Sequence, residues 1–376
     1  MQPFCAKLNV TTPWLSSART DVAFFFAPAL AATLLTSLFR HDAVVNSPFL
    51  LFLILQGFAL GPFHQGLTWF QYFDKANLQQ YSARKNLFWA FGAPAVVIAL
   101  ATVAYWFSPP LLLFVYVVWT IQHIAKQNVG ILLLYHNHAR NEAIVPRDIE
   151  TRSVETSAAL FSFLFLNGFI AQSGWIPTAV HLLIAFLSIE LVWLMVRFSI
   201  SLKEQVSLEG KALNAPALVF WMISCLAFIP FALAKDYGQG LFVALVMHWF
   251  QYVGLNAMLV RRKYSTDATK DQLIGGRPAA LFFTVGLLFA LVAMPVEAFA
   301  INGINPNQWA LRILVGIVYG LTLSHYFLDA FIWRFREPFN RTAILSYLKP
   351  NLNQTFNLDA QAALVEESNG EPALVR

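Results

Sequence analysis

Cysteine is nearly absent from this chain, which has only Cys5 and Cys225 among its 376 residues. The two lie far apart and neither belongs to a CxxC pair, which argues against a disulfide-stabilised fold and a thiolate metal site. Charged residues are also scarce, at 12% of the chain, whereas 58% are hydrophobic. A soluble domain has about 25% charged residues, so the composition indicates a membrane protein.

Several common catalytic signatures are missing as well. The chain has no Walker A sequence, no GxSxG, no HExxH and no Rossmann glycine fingerprint, and it lacks the HxxxH and HxxHH boxes of membrane desaturases. The first 20 residues lack the basic start, apolar run and cleavage site of a signal peptide, so we expect the first span to stay in place. Any chemistry is therefore expected in the helices or their loops.

Long apolar stretches dominate what is present. Stretches of about 18 residues or more can cross a hydrocarbon core about 30 Å thick, and the chain predicts an all-α, polytopic transmembrane helical bundle with about ten spans. We expect residues 1–336 to form a single integral membrane domain and residues 337–376 a polar, disordered cytoplasmic tail. The predicted spans are 21–39, 48–73, 86–107, 109–135, 154–172, 176–197, 215–234, 238–260, 279–301 and 309–334.

The distribution of Lys and Arg predicts the orientation of this bundle. With ten spans, 21 of the 25 basic residues fall on the face that holds both termini. Positive charge in short loops is retained on the cytoplasmic side, so both termini are predicted to be cytoplasmic. The net charge of +5 is then explained by topology and anionic lipid headgroups rather than by nucleic acid binding.

Four of the eight histidines lie inside predicted spans. Each precedes a basic boundary residue by 9 to 17 positions, and all four spans run in the same direction across the membrane. At 1.5 Å per helical residue, the imidazoles are expected at comparable depths and could converge on one ion. A lone intramembrane histidine is often only a hydrogen bond between helices, but four at similar depth favour a shared metal site. The predicted ligands are His64, His123, His248 and His325.

Polar residues recur four positions after each of these histidines, which is the same helix face. They are Thr68, Gln127, Tyr252 and Asp329. A metal-bound imidazole normally donates its second N–H to a carboxylate, amide or carbonyl. We therefore expect Asp329 to orient His325 and Gln127 to act beside His123.

Other polar residues of the predicted spans have less specific interpretations. Lys126 and Glu190 are ionisable groups at membrane depth and should face partners; the predicted pairings join Lys126 to Asp329 or to Glu190, with both residues polarising the site or lining a substrate path. His136 and His138 are predicted to be solvated at the membrane interface. The remaining histidines, His41 and His181, are interpreted as structural.

Two short segments carry a resemblance to a known family. Residues 61–66, Gly-Pro-Phe-His-Gln-Gly, resemble the G-x-P-H-G motif of the Brp/Blh family of bacterial membrane β-carotene 15,15'-dioxygenases, and residues 324–329 are similar to its late P-H...D segment. The resemblance implies a histidine-bound non-haem iron, to which His123 and His248 would also contribute, and a bacterial inner membrane. The chain departs from the family at Thr68, where the motif has Asp, and at His248, where the family has clustered histidines.

The sequence thus predicts a membrane-embedded non-haem iron oxygenase or related oxidoreductase. Neutral imidazoles suit Fe²⁺ and other transition metals, and a hydrophobic isoprenoid, carotenoid or lipid substrate could enter from the bilayer. Two alternatives remain open at this point. The same histidines could ligate haem b in an electron carrier, or they could form a proton relay with Asp and Glu in a transporter.

Overall fold

A computed structural model describes residues 9–38, 60–136, 142–171, 178–229, 232, 237–301 and 308–348. Helices account for nearly all of this part of the chain, which confirms the predicted all-α class. The strands in these ranges are two residues long each, β1 (Val10–Thr11) and β2 (Leu213–Asn214), and they pair in parallel. They tie the N-terminal segment to the loop before the helix that begins at Ala215.

Most long helices follow a predicted apolar stretch, but Arg147–Ala171 begins seven residues before its stretch and Thr178–Leu208 ends 11 residues after its own. Several contain one π-helical turn and are treated as one element. In chain order they are α1 (Ala18–Asp21, Val22–Phe26 and Ala27–Leu38), α2 (60–70), α3 (Lys75–Ser82), α4 (Arg84–Phe107), α5 (Pro109–His136), α6 (Arg147–Ala171), α7 (Thr178–Leu208), α8 (Ala215–Leu226), α9 (Tyr237–Lys263), α10 (Asp267–Lys270), α11 (Pro278–Ile301), α12 (Trp309–Ile332) and α13 (Pro338–Asn340, Arg341–Leu345 and Ser346–Leu348).

Four helices of the described chain are long and apolar enough to span a membrane. They are Arg84–Phe107, Thr178–Leu208, Pro278–Val296 and Trp309–Ile332. Helices α5, α6 and α9 are as long, at 28, 25 and 27 residues, and the polar residues of α5 lower its mean hydropathy. The polar residues of α5 include three of the predicted site residues, so the same side chains that suggest function weaken the hydropathy signal.

Prolines shape the helices in two ways. Pro28 and Pro94 each follow a π-helical turn, Val22–Phe26 and Phe88–Gly92. Because proline has no N–H and its ring crowds the preceding turn, a wider turn before it lets the helix continue. Pro109 instead begins α5 after Ser108, which has an extended backbone with φ −151°, as expected for a residue before proline.

Helices α4 and α12 approach each other closely through two glycines. A Cβ atom added to Gly316 would lie 2.7 Å from the Thr102 Cα, and one added to Gly320 would lie 2.6 Å from the Ile98 Cα. Small residues spaced four apart permit this kind of backbone approach between helices in a membrane. The contact fixes α12 five residues before His325.

The end of the bundle that is predicted to be cytoplasmic contains a buried ion pair. Lys263, at the end of α9, lies 2.9 Å from Asp74, whose carboxylate also accepts a hydrogen bond from Tyr264 at 2.7 Å. Burial alone would raise the pKa of Asp74, but the Lys263 charge and the Tyr264 hydroxyl outweigh it and hold that pKa below its usual range. The pair links the turn after α2 to α9.

Part of the predicted polar tail belongs to the fold. Pro338–Leu348 is helical, and Ile344, Leu345 and Leu348 are buried in the hydrophobic core. The predicted boundary at residue 337 is therefore too early, because three apolar side chains in this short helix pack on the bundle. Residues 349–376 lie outside the described residues.

Candidate metal centre

The four predicted histidines converge in the interior. His64 projects from α2, His123 from α5, His248 from α9 and His325 from α12, and each is no more than 9% exposed. Their ring centroids form a closed circuit: 4.9 Å from His64 to His248, 4.8 Å from His248 to His123, 5.1 Å from His123 to His325 and 4.8 Å from His325 to His64. The rings meet edge to face, with interplanar angles of 68–85°.

The ring nitrogens are close together and incompletely paired. The Nε2 atoms of His64 and His248 lie 3.2 Å apart. His64 Nδ1 donates to the Gly61 carbonyl, so its Nε2 carries a lone pair. Buried nitrogens without a hydrogen-bond partner among the described residues include His123 Nε2, His248 Nδ1 and His325 Nε2. Each unsatisfied polar atom costs about 1–3 kcal/mol, and a bound cation would remove that cost at the Nε2 atoms.

The donor atoms fit a transition metal. His64, His248 and His325 offer nitrogens within 4.8 Å of one another, and a second overlapping group contains His123, His325 and Asp329. With metal–nitrogen bonds of about 2.0–2.1 Å, two nitrogens 3.2 Å apart would subtend an angle of about 100–105° at a shared ion. This angle is typical of two neighbouring ligands on one ion. The two axial ligands of a haem iron would instead lie on opposite sides of the metal, with their nitrogens about 4 Å apart.

Three of the polar residues at the i+4 positions join in one hydrogen-bond network beside His325. Thr68 Oγ1 lies 2.5 Å from His325 Nδ1 and 2.6 Å from the Tyr252 hydroxyl, and it donates to Asp329 Oδ1 at 3.1 Å. Tyr252 also donates to Asp329 Oδ1, at 2.7 Å. His325 Nδ1 can then donate to Thr68, which leaves His325 Nε2 with the lone pair that a metal requires.

The predicted contact between His325 and Asp329 is therefore indirect. Their nearest atoms, Nδ1 and Oδ1, lie 3.7 Å apart, which is too long for a hydrogen bond. Thr68 bridges them from a different helix. The other carboxylate oxygen, Asp329 Oδ2, is 3.6 Å from His123 Nε2, so Asp329 lies between two of the histidines.

Gly61 holds the first histidine against α9. A Cβ atom at this position would lie 2.9 Å from the Trp249 ring, so a larger residue would push Trp249 away. Trp249 follows His248 in α9, and its ring lies 6.0 Å from that of His64. Gly61, the first residue of the motif at residues 61–66, is thus required because α2 and α9, which carry His64 and His248, approach each other closely here.

Gln127 and Tyr326 complete the surroundings. Gln127 donates to the His248 carbonyl at 3.2 Å and to Gln251 Oε1 at 3.0 Å, so it binds α5 to α9 as a neighbour of the cluster. Tyr326 stacks on His123, with ring centroids 4.4 Å apart, and its hydroxyl lies 2.9 Å from the Thr120 hydroxyl. We did not single out Tyr326 from the sequence, since a tyrosine in an aromatic-rich chain carries no distinctive signal.

Lys126 and Glu190 do not join the cluster. Lys126 pairs with Glu155 on α6, and Glu190 pairs with Arg152 on the same helix. The predicted pairings of Lys126 with Asp329 or Glu190 are therefore wrong. Lys126 follows His123 by three residues, about 60° round the helix, and its ammonium reaches Glu155 on α6, while Asp329 is already held by Thr68 and Tyr252.

The remaining histidines lie elsewhere. His136 is mostly buried, and its Nε2 lies 2.9 Å from Glu150, so its predicted solvation is wrong: α6 supplies a buried carboxylate that the HxH spacing does not reveal. His181 is exposed on α7. His41 and His138 lie outside the described residues.

Comparison with known proteins adds no assignment. No protein-family model, curated protein or solved structure matches the chain.

Proposed function

We propose that this chain is a membrane-embedded, histidine-ligated metal oxidoreductase. The observation that carries the proposal is the convergence of His64, His123, His248 and His325. The two candidate ligand groups contain four buried imidazoles, one carboxylate and no thiolate. Such a set of ligands suits a divalent transition metal, and Fe²⁺ is the ion we favour. Bound iron would supply reactivity toward dioxygen, while the chain supplies the ligands and a site closed to water.

The arrangement of the chain in the membrane is part of the proposal. We propose about ten spans with both termini cytoplasmic, in the inner membrane of a bacterium. Support comes from the four apolar helices and from the concentration of basic residues on one side of the predicted topology. The cluster would then lie within the hydrocarbon layer, where dioxygen and apolar molecules dissolve.

The residues around the cluster have assigned roles in this proposal. Thr68, Tyr252 and Asp329 orient His325, because their hydrogen bonds determine which nitrogen carries the proton. Gln127 holds the backbone of α9 next to His248. Tyr326 covers one face of His123. Together they keep the four rings in place before any ligand binds, which lowers the cost of binding.

For the substrate, we propose a lipophilic molecule that enters from the bilayer, with a carotenoid as the first to test. The support is the resemblance of residues 61–66 to the Brp/Blh motif, together with the apolar surroundings of the site. A haem-based electron carrier is less well supported, because the neighbouring histidine rings are 4.8–5.1 Å apart and edge to face. That packing leaves no slot for a flat macrocycle among them.

The test of metal binding is elemental analysis of the detergent-purified full chain beside His248→Ala and His325→Ala. We expect about one transition metal per chain in the parent protein and a loss of most of it in both variants, since each removes one ligand. The matched control is His181→Ala, which removes an exposed histidine and should leave occupancy unchanged. Equal occupancy in all four proteins would contradict the proposal.

The test of oxidoreductase activity uses β-carotene in detergent micelles with the Fe²⁺-loaded protein. We expect dioxygen uptake together with bleaching of the carotenoid absorption, and neither in the His325→Ala variant. A metal-loaded protein that takes up no dioxygen with β-carotene would remove the carotenoid from the proposal while leaving the metal site in place.

A further inference from the structure

A groove on the outer side of helices α5 and α6 is separate from the metal centre. It has a volume of about 390 Å³ and apolar walls that include Phe114, Val118, Ile121 and Phe163. His123 projects from α5 as well, but Phe114, Val118 and Ile121 lie on the opposite side of that helix, since a helix turns 100° per residue. We call this feature the α5–α6 groove.

One end of the groove is polar. It contains Gln122, Lys126 and Glu155, and the lysine and glutamate form an ion pair. Lys126 is 59% exposed and Gln122 is exposed on the same face of α5. Lys126 lies 10 residues before the end of α5 at His136, which places it about 15 Å inside the helix. Exposed polar groups at such depth in a membrane normally face a cavity or a partner.

The groove is long enough for a hydrocarbon chain. From Phe114 to Lys126, α5 advances about 18 Å, compared with a bilayer core about 30 Å thick. A single chain lying along the apolar walls would therefore bring its end to the ion pair in the half of the bilayer nearest the end of α5. Apolar walls with one polar end are the lining of a site for an amphiphile.

The charges at that end select the head group. Lys126 and Glu155 neutralise each other, so a charged head group would leave one uncompensated charge at membrane depth, which is costly. A hydroxyl or carbonyl oxygen can instead accept from the N–H donors of Lys126 that Glu155 does not use, or a hydroxyl can donate to the carboxylate. We propose that the α5–α6 groove binds an uncharged single-chain lipid whose hydroxyl or carbonyl head lies against the Lys126–Glu155 pair.

Photocrosslinking of the full chain in lipid nanodiscs tests this site. The probes are diazirine-bearing hexadecanol and the matching diazirine-bearing palmitate, and labelled peptides are located by mass spectrometry. We expect the alcohol to label peptides of α5 and α6 about fivefold or more above the acid, because the carboxylate of the acid adds an uncompensated charge beside a pair that is already neutral. Equal or stronger labelling by the acid would overturn the proposed head group.

Variants separate the groove from general lipid contact. Ala159→Phe fills the groove from α6 and should abolish most of the labelling by the alcohol, whereas Ala185→Phe makes the same change on the exposed face of α7 and should not alter it. Unchanged labelling in Ala159→Phe, or crosslinks from the groove to a second copy of the chain, would overturn the lipid assignment. Metal content and the melting temperature should match the parent in both variants, so this result is independent of the proposed metal chemistry.

Discussion

The hydroxyl of Thr68 connects His325 Nδ1 to the carboxylate of Asp329. The i+4 spacing places Thr68, Tyr252 and Asp329 on the same helix faces as His64, His248 and His325, and it predicts only that Asp329 orients His325. In the structure all three meet beside His325. Helical spacing reveals that a polar residue shares a face with a histidine, and it does not reveal which neighbouring helix that face meets.

Replacement of Thr68 by Val tests this arrangement. Valine keeps the shape and removes the hydroxyl that joins His325 Nδ1 to Asp329, so the imidazole loses its orienting partner. We expect metal affinity to fall by about 10- to 100-fold, the usual effect of losing such a partner, as measured by competition with a chelator. Thr68→Ser restores the hydroxyl and should regain most of the affinity. A Thr68→Val variant with parent affinity would show that the network does not orient His325.

At the scale of single elements, the starts of most long helices are the feature that the sequence predicts best. Apolar length and proline positions indicate them directly, as at Pro109, where α5 begins. The partners of Lys126 and Glu190 were predicted wrongly, because ion pairing depends on which helices are adjacent. The closeness of α4 and α12 also follows from a pattern visible in the sequence, Gly316 and Gly320, but only the structure identifies the facing helix.

Gly320→Ala tests whether this close packing positions the metal centre. The added methyl group would lie 2.6 Å from the Ile98 Cα, and overpacking of this kind costs about 1–3 kcal/mol. We expect a lower melting temperature in detergent and reduced metal occupancy, since α12 carries His325. The matched control is Gly130→Ala, where a Cβ atom meets nothing within 4 Å among the described residues, and there we expect an unchanged or slightly higher melting temperature. Equal behaviour of the two variants would contradict the packing argument.

At the scale of the whole molecule, composition was sufficient to predict the all-helical class. The number of spans is less directly readable, because polar site residues within a helix lower its mean hydropathy, as they do in α5. Four helices of the described chain satisfy length and hydropathy together, and one of them, α12, carries His325. The charge of the loops decides the orientation of a chain as it inserts into the membrane. The orientation that we propose therefore depends on the 21 basic residues assigned to one face.

Single cysteines introduced into a chain with Cys5 and Cys225 replaced by Ala test that orientation. Asp267 is exposed in the loop after α9, and Gln308 is exposed just before α12. In intact bacterial spheroplasts, a membrane-impermeant maleimide should label Gln308→Cys but not Asp267→Cys, and broken membranes should expose both. Labelling of Asp267→Cys from outside would reverse the proposed topology.

The most direct test of the central proposal is X-ray absorption spectroscopy of the metal in the purified full chain. Our account predicts three or four nitrogen neighbours at about 2.0–2.1 Å, with the outer-shell scattering of imidazole rings and one fewer imidazole in His248→Ala loaded with the same metal. A bound metal whose shell lacks imidazole, or one whose spectrum is identical in His248→Ala, would contradict the claim that these four histidines share one ion.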